Sequence, residues 1–260
     1  MNAAAAQANA QASAQAFLSI RGLKKSFGGV TATDNVWLDV RAGEVHAVIG
    51  PNGAGKTTLM SQLSGLLPPD AGQIVFKGQD ITHQPAYRRA HIGIARSFQI
   101  TSVFMEMSVI DNVALAIQAR RGHSFRFWTP ARTVETLRQP AMAKLVTVGL
   151  DDRANRKACD LSHGERRQLE VAMALGSDPE MLLLDEPMAG MSSDEAARMV
   201  SILKSLSGMT MLLVEHDMDA VFALASRISV LVYGRVIATG KPEDIRKNPA
   251  VMRAYLGEAL

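Results

Sequence analysis

The residues best suited to chemistry in this 260-residue chain form one glycine-rich loop, Gly50-Pro-Asn-Gly-Ala-Gly-Lys-Thr57. The loop matches the phosphate-binding pattern G-x-x-x-x-G-K-[ST] at every fixed position. Its glycines let backbone N–H groups approach phosphate oxygens closely, and a following helix N-terminus favours negative charge. The loop predicts binding of a nucleoside triphosphate; the alternative is a chance glycine turn. The nucleotide-binding candidates here are Gly50, Pro51, Asn52, Gly53, Ala54, Gly55, Lys56, Thr57 and Thr58.

Two acids end a second informative segment, Met181-Leu-Leu-Leu-Asp185-Glu186, which Pro187 follows. Burying two carboxylates at the end of an apolar strand is costly unless something offsets their charge. Mg²⁺ and a polarised water would do so. Asp185 is then expected on the Mg²⁺ side, together with the Thr57 hydroxyl, and Glu186 is placed to orient or deprotonate an attacking water.

A third segment, Leu161-Ser-His-Gly-Glu165, reads locally as a capping box, in which Ser162 caps a helix and Glu165 reaches back. Such a cap also leaves a helix N-terminus with Ser162 and Gly164 at its tip, which favours anions. The chain already has one phosphate loop. We therefore expect this second anion site to serve a nucleotide held by another subunit.

Most of the chain alternates short apolar segments with helical patterns, which is typical of an α/β domain. Several of the expected strands lack alternation, as do strands buried on both faces of a parallel sheet. The expected strands are Leu18–Leu23, Asn35–Val40, Glu44–Ile49, Gln73–Phe76, Ile92–Arg96, Met181–Asp185, Thr210–Glu215, Ile228–Tyr233 and Val236–Ala238.

The middle of the chain is helical instead, with helices expected over 109–121 and 133–148 and a short helix at the end, over 249–260. Between the first two lies a loop-like stretch with Phe125, Phe127 and Trp128, which are either local core or part of a docking surface. We expect residues 1–16, rich in Ala, Gln, Asn and Ser, to be a disordered or frayed tail, with a targeting or partner role as the alternative.

The bulk composition narrows the class of protein. Hydrophobic residues make up 47% and charged residues 20%, which is ordinary for a globular protein. A net charge of +3 gives no reason to expect a nucleic-acid partner. No apolar run approaches 18 residues, so we expect no membrane span. One cysteine, Cys159, rules out an internal disulfide and fits a reducing compartment.

Taken in order, these motifs resemble those of ATP-binding-cassette ATPases over residues 17–260. The glycine loop is similar to the Walker A loop, Gln99 to the glutamine loop, Leu161–Glu165 to the signature motif, Met181–Glu186 to the Walker B strand, and His216 to the switch histidine. Phe27 stands where an aromatic residue stacks on adenine, with a place in the core as the alternative. The resemblance implies an α/β fold: a P-loop NTPase (RecA-like) core with an antiparallel β subdomain and an inserted helical subdomain.

By this resemblance, the core spans residues 17–100 and 166–245, the helical subdomain about 101–165, and a C-terminal helix 246–260. The cofactors implied are ATP and Mg²⁺, with Thr57, Gln99 and Asp185 near the metal. Glu186, His216 and Gln99 are implied in catalysis. Ser162, Gly164 and Glu165 are implied in binding the ATP of a second cassette, which is identical or related.

The sequence departs from the family pattern twice. The signature usually reads Leu-Ser-Gly-Gly-Gln, whereas His163 and Glu165 replace a glycine and the glutamine here. After the Walker B strand a small residue, Leu and Asp are usual, whereas Ala189-Gly-Met-Ser-Ser193 lacks the Asp. The second departure bears on contacts between subunits, and not on the chemistry at Glu186.

Finer resemblances indicate one branch of the family, the ATPases of branched-chain amino acid importers. They are carried by Ser26–Gly29, Leu161–Glu170, Val214–Asp219 and the ending over 249–258. The function implied is ATP hydrolysis that powers uptake of small polar solutes at the cytoplasmic face of a bacterial inner membrane. The partners implied are membrane-spanning permease subunits and, indirectly, a solute-binding protein. A urea or amide importer, an envelope lipid or polysaccharide exporter, and a soluble cassette acting on ribosomes or DNA stay open as alternatives.

Overall fold

The computed structural model of the protein describes residues 16–97, 103–121 and 135–256. The chain forms two compact units, which we call unit 1 (up to residue 89 and from 208 onward) and unit 2 (residues 90–207). The sequence expectations for residues 1–15, for Gln99 and for the aromatic residues at 125, 127 and 128 lie outside the described part of the chain.

Unit 1 contains the antiparallel subdomain that the resemblance implies. Its strands are β1 (Leu18–Phe27), β2 (Val30–Val40), β4 (Ala71–Phe76) and β5 (Gln79–Asp80), in the spatial order β2-β1-β4-β5. Leu18 and Ile20 of β1 are buried, as are Val36 and Leu38 of β2. The alternation in β2 gives the sheet a face in the core, whereas β1 also buries Ser19, between Leu18 and Ile20.

A second sheet in unit 1 is mainly parallel. It consists of β3 (Val45–Ile49), β8 (Thr210–Val214), β9 (Arg227–Val232) and β10 (Arg235–Gly240), in the order β10-β9-β3-β8. Strand β3 runs parallel to both β8 and β9, and β10 is antiparallel to β9. Every residue of β8 is buried, which explains its unbroken apolar run.

Along the sequence, the helices of unit 1 lie between the strands of these sheets or after them. They are α1 (Lys56–Leu63), α7 (Met218–Leu224), α8 (Pro242–Arg246) and α9 (Pro249–Leu256). A further helix, α2 (Ala86–His91), spans the boundary at which the chain passes into unit 2. Together they supply the strand–helix alternation that the sequence predicts.

Arg89 holds the end of α1 in place from inside the core. It is 1% exposed, and its guanidinium donates to the carbonyl oxygens of Gln62 at 2.7 Å and Leu63 at 2.8 Å, the last two residues before the helix ends. It also donates to the carbonyls of Thr82 and Gln84. A cation at a helix C-terminus satisfies orphan carbonyls and complements the helix dipole. Burial lowers the pKa of Arg89 to about 10, so the side chain stays charged at neutral pH.

Replacing Arg89 with methionine is expected to lower the free energy of unfolding by about 3 kcal/mol or more, because four carbonyl oxygens lose their donor. Urea unfolding followed by circular dichroism measures this loss. Arg88 is the matched control, since it is exposed one position earlier, and Arg88→Met should change stability by less than about 0.5 kcal/mol. Equal stability of the two variants would contradict this role of Arg89.

Unit 2 joins a short parallel strand pair to a group of helices. Strand β6 (Ile94–Arg96) is parallel to β7 (Met181–Asp185), which is wholly buried. The helices are α3 (Val109–Arg121), α4 (Glu135–Val148), α5 (His163–Gly176) and α6 (Ser193–Ser205), and α3, α4 and α5 pack on one another. Short 3-10 turns, Asp151–Arg153 and Ala158–Asp160, lie between α4 and α5. Within the described ranges, no helix combines the length and the apolar character that crossing a membrane requires.

Candidate functional site

The glycine loop has the strand–loop–helix setting that its sequence predicts. It leaves β3 at Ile49 and enters α1 at Lys56. A Cβ on Gly50 would overlap the Leu231 carbonyl oxygen, and one on Gly55 would overlap that of Ala32. Gly55 also has a φ of +101°, which disfavours other residues. Gly50 and Gly55 are therefore needed because other backbone segments pack closely against the loop.

The side chain of Lys56 lies along this loop. The residue is 6% exposed, and its Nζ donates to the carbonyl oxygens of Gly50 at 2.6 Å and Pro51 at 2.9 Å. Thr57 beside it is exposed, as are Asn52 and Gly53. The lysine thus holds its positive charge inside the curve of the loop, where a phosphate group can take over its hydrogen bonds.

His216 lies at the same sheet edge as the glycine loop. Strands β3 and β8 are parallel neighbours, with Val48 paired to Val214, so their carboxyl ends lie side by side. The loop begins just after one strand and exposed His216 follows the other. Ligands of parallel α/β sheets bind at this edge.

Glu215, for which no role was expected from the sequence, fixes the backbone conformation at His216. The residue is 3% exposed, and its carboxylate accepts from the backbone N–H groups of His216 at 2.9 Å and Asp217 at 3.4 Å. Asp217 in turn caps α7. An acid directly after a buried apolar strand, as in Val214-Glu-His-Asp217, is the signal that could have identified it.

Phe27 ends β1 and its ring is 51% exposed, so the alternative of a core residue is wrong. The Lys25 Nζ lies 5.7 Å from the centre of the ring. An exposed aromatic ring with a cation on one side is a surface on which a flat base can stack.

In unit 2, the two acids end β7 as expected. The Asp185 side chain is fully buried, and its Oδ2 accepts from the Arg96 guanidinium at 2.7 Å. Arg96 ends β6, the parallel neighbour of β7, so the pairing of the two strands brings the groups together. The sequence alone suggests Mg²⁺ as the offset of this buried charge and gives no signal for Arg96. In the structure the arginine supplies an offset.

Glu186 has an unusual backbone. Its φ is +51°, in the left-handed region, and Pro187 follows it. A non-glycine residue in this region costs about 1 kcal/mol or more, and the described residues also include Asn35, Lys77, Asp178 and Tyr233 with positive φ. Glu186 is half-buried, whereas Asp185 before it is buried.

The signature-like segment forms the capping box that its sequence predicts. The Ser162 Oγ accepts from the backbone N–H of Glu165 at 3.2 Å, and the Ser162 N–H donates to the Glu165 carboxylate at 2.8 Å. Arg153, another residue that sequence reasoning missed, donates to the same carboxylate at 3.1 Å. Burial would raise the pKa of Glu165, but the bonds from Ser162 and Arg153 outweigh it and lower the pKa. Helix α5 therefore starts with a rigid tip.

Both departures from the family pattern lie in unit 2, and the segments that carry them are in contact. The His163 ring lies against Gly190, where a Cβ would be 3.2 Å from the imidazole Cε1. Ser192, near the position of the missing Asp, instead caps α6 in a second capping box with Glu195. These residues thus have structural partners within the same chain.

The described residues hold no group of three or more His, Cys, Asp or Glu side chains that could bind a metal by themselves. Mg²⁺ is commonly held by few protein oxygens together with substrate phosphates. The Thr57 hydroxyl and the Asp185 carboxylate are donors of that class. Gln99, the remaining candidate, lies outside the described residues.

Comparison with known proteins identifies the family. A family model described as "ABC transporter" matches residues 33–189, and one described as "Branched-chain amino acid ATP-binding cassette transporter" matches residues 235–260. The chain is 40% identical over 253 residues to the high-affinity branched-chain amino acid transport ATP-binding protein LivG of Escherichia coli (strain K12), covering 94% of this chain and 99% of LivG.

Solved structures agree with this result. The ADP conformation of an ATP-binding cassette of an ABC transporter matches with a TM-score of 0.83 and 30% identity, covering 93% of this chain and 99% of that one. A dimeric post-hydrolysis cassette bound to ADP and phosphate matches with a TM-score of 0.73 and 25% identity, covering 86% and 98%. The chain therefore belongs to the ABC transporter family, as a nucleotide-binding cassette that hydrolyses ATP to drive transport.

Proposed function

We propose that the chain is the ATPase subunit of an importer for branched-chain amino acids. The observation that carries the proposal is the match of residues 235–260 to the branched-chain amino acid cassette family. This segment includes α8 and α9, outside the motifs shared by all cassettes. The name of LivG, a relative over nearly the whole chain, supports the same class of solute.

The glycine loop of unit 1 binds the triphosphate in this proposal. Its backbone N–H groups and Lys56 hold the phosphates, Thr57 and Thr58 follow at the start of α1, and Phe27 stacks on adenine. His216, at the same sheet edge, contacts the γ-phosphate. The exposure of Phe27 and the placement of His216 beside the loop support these roles.

Mg²⁺, when bound with the nucleotide, would stabilise the charge that develops on the phosphates. Thr57, Asp185 and Gln99 are the residues that would hold it. The hydroxyl, carboxylate and amide oxygens of these side chains are the hard donors that Mg²⁺ prefers. Glu186, directly after buried Asp185, takes the proton from the attacking water.

The tip of α5 acts on the nucleotide of a second cassette. Ser162 and Gly164 donate to its γ-phosphate, and Glu165 fixes the tip through the capping box. The dimeric state of a matching cassette supports such a pair. Permease subunits are the membrane partners, a solute-binding protein delivers the solute, and the ATPase lies at the cytoplasmic face of the inner membrane.

Reconstitution tests this function directly. The transport complex is purified through this subunit and placed in lipid vesicles with ATP on the side of the ATPase. Labelled leucine, isoleucine or valine is expected to accumulate, and uptake should fall to background when the complex carries Glu186→Gln. Uptake of urea or a short amide in place of these amino acids would contradict the proposal, as would outward movement of lipid.

A further inference from the structure

A carboxylate of the chain itself occupies the anion-binding tip of α5. Glu195, the third residue of α6, directs one carboxylate oxygen to its own helix cap: Oε2 lies 3.0 Å from both the backbone nitrogen and the Oγ of Ser192. The other oxygen, Oε1, lies 3.4 Å from the Oγ of Ser162. The backbone of Gly164 lies close to this carboxylate and helps to lower its pKa. A single side chain therefore links two helix N-termini within unit 2.

Gly164 makes this approach possible. A Cβ at position 164 would overlap the Glu195 carboxylate, so a larger residue would exclude the side chain from the tip of α5. The two residues line a cavity of about 290 Å³ together with Ser162, Arg153, Gln168 and Arg198. Two arginines line this cavity, but so do the carboxylates of Asp152, Glu165 and Glu195, and Arg153 donates to the first two of these.

The number of donors limits what the tip can bind. A serine hydroxyl has one hydrogen to donate, and so has a backbone N–H. The Oγ of Ser162 already accepts from the Glu165 N–H, and its own hydrogen is directed at Glu195. A phosphate oxygen can take this donor only after the Glu195 carboxylate, which also lies against Gly164, has left it.

We propose that Glu195 is an autoinhibitory residue. In the single cassette its carboxylate occupies the position at which Ser162 and Gly164 would bind phosphate, and it must be displaced before a second cassette can close over ATP. This inference rests on the proposed role of Ser162 and Gly164 and adds a regulatory step to it. The carboxylate competes with the γ-phosphate because both are anions at one helix N-terminus.

The charge state of Glu195 suits such competition. Hydrogen bonds from Ser192 above all, and then from Gly164 and Ser162, lower the pKa of the Glu195 carboxyl group. The group is thus ionised at neutral pH. The carboxylate can rotate so that Oε1 leaves Ser162 while Oε2 stays bonded to Ser192. Helix α6 then keeps its cap when Ser162 becomes free to bind phosphate.

The test measures pairing at rising ATP concentration by analytical ultracentrifugation of the full chain. The parent carries Glu186→Gln, so that ATP is not consumed. Adding Glu195→Gln removes the charge but keeps a side chain that serves in a capping box, so the fold is retained. We expect the ATP concentration for half-maximal pairing to fall about tenfold, since a charge-assisted competitor is weakened. Binding of ATP to the monomer should not change.

Asp194→Asn in the same parent is the matched control. Asp194 is exposed in the same first turn of α6 and loses the same charge, so pairing should stay as in the parent. The inference is wrong if Glu195→Gln leaves pairing unchanged, weakens it, or shifts it no more than Asp194→Asn does. A parent that binds ATP yet never pairs would contradict the proposed signature role itself, and the inference would fail with it.

Discussion

Glutamine at position 186 is expected to lower the rate of phosphate release by about 10²- to 10⁴-fold while ATP binding stays intact. The amide has nearly the shape of the carboxylate, but it cannot accept the proton of an attacking water. Glu186 is well placed for that role, because it follows buried Asp185 on a strained turn with a φ of +51°. Phosphate release over a single turnover and equilibrium titration with ATP measure the two effects separately.

Glu243→Gln is the control for the loss of one carboxylate. Glu243 lies in α8 and its side chain is 72% exposed, with Lys241 at 3.9 Å as its ion-pair partner. Such an exposed pair contributes little, so this variant should release phosphate at the wild-type rate. Wild-type release by the Glu186→Gln protein would remove Glu186 from the proposed mechanism.

Alanine at position 56 has the second large effect, a loss of ATP affinity of about 100-fold or more. The Lys56 Nζ now bonds the carbonyl oxygens of Gly50 and Pro51, and in the complex it would bond phosphate instead. Alanine removes both the charge and the bonds that shape the loop. Fluorescence titration with a labelled ATP analogue measures the affinity.

Two control measurements show whether the loss of ATP affinity comes from Lys56 itself and not from unfolding or a change in net charge. Thermal unfolding of the Lys56→Ala protein shows whether the effect is local, since removal of one side chain at the first residue of α1 should leave the strands and the helix folded. Lys241→Ala, a loss of the same charge at an exposed position, should bind the analogue as the wild type does. Unaltered affinity in the Lys56→Ala protein would exclude the loop as the nucleotide site.

Local signals in the sequence account for the parts of the fold that could be predicted. The run Met181–Asp185 forms a strand with the expected bounds, because a wholly buried strand needs only apolar residues and a polar end. The capping box at Ser162 forms because its two partners are three residues apart. The glycine loop is recognisable from its fixed spacing, although its packing against Leu231 and Ala32 could not be predicted from that spacing.

Pairs of residues distant in sequence could not be predicted in the same way. Arg96 and Asp185 meet only because β6 and β7 are neighbours, and Ser162 and Glu195 meet only because α5 and α6 present their N-termini to each other. Neither pair has a characteristic spacing. The two-residue strand β5 was missed as well, since it is too short to show alternation.

The central claim is that one cassette holds half of the catalytic site and that ATP joins two of them. Sedimentation of the Glu186→Gln protein at rising ATP concentration tests it most directly. The account predicts a doubling of the sedimenting mass with ATP and no change with ADP, since only the γ-phosphate reaches the tip of α5 in the second subunit. A protein that remains monomeric when saturated with ATP, while the wild type hydrolyses ATP as a monomer, would contradict the account.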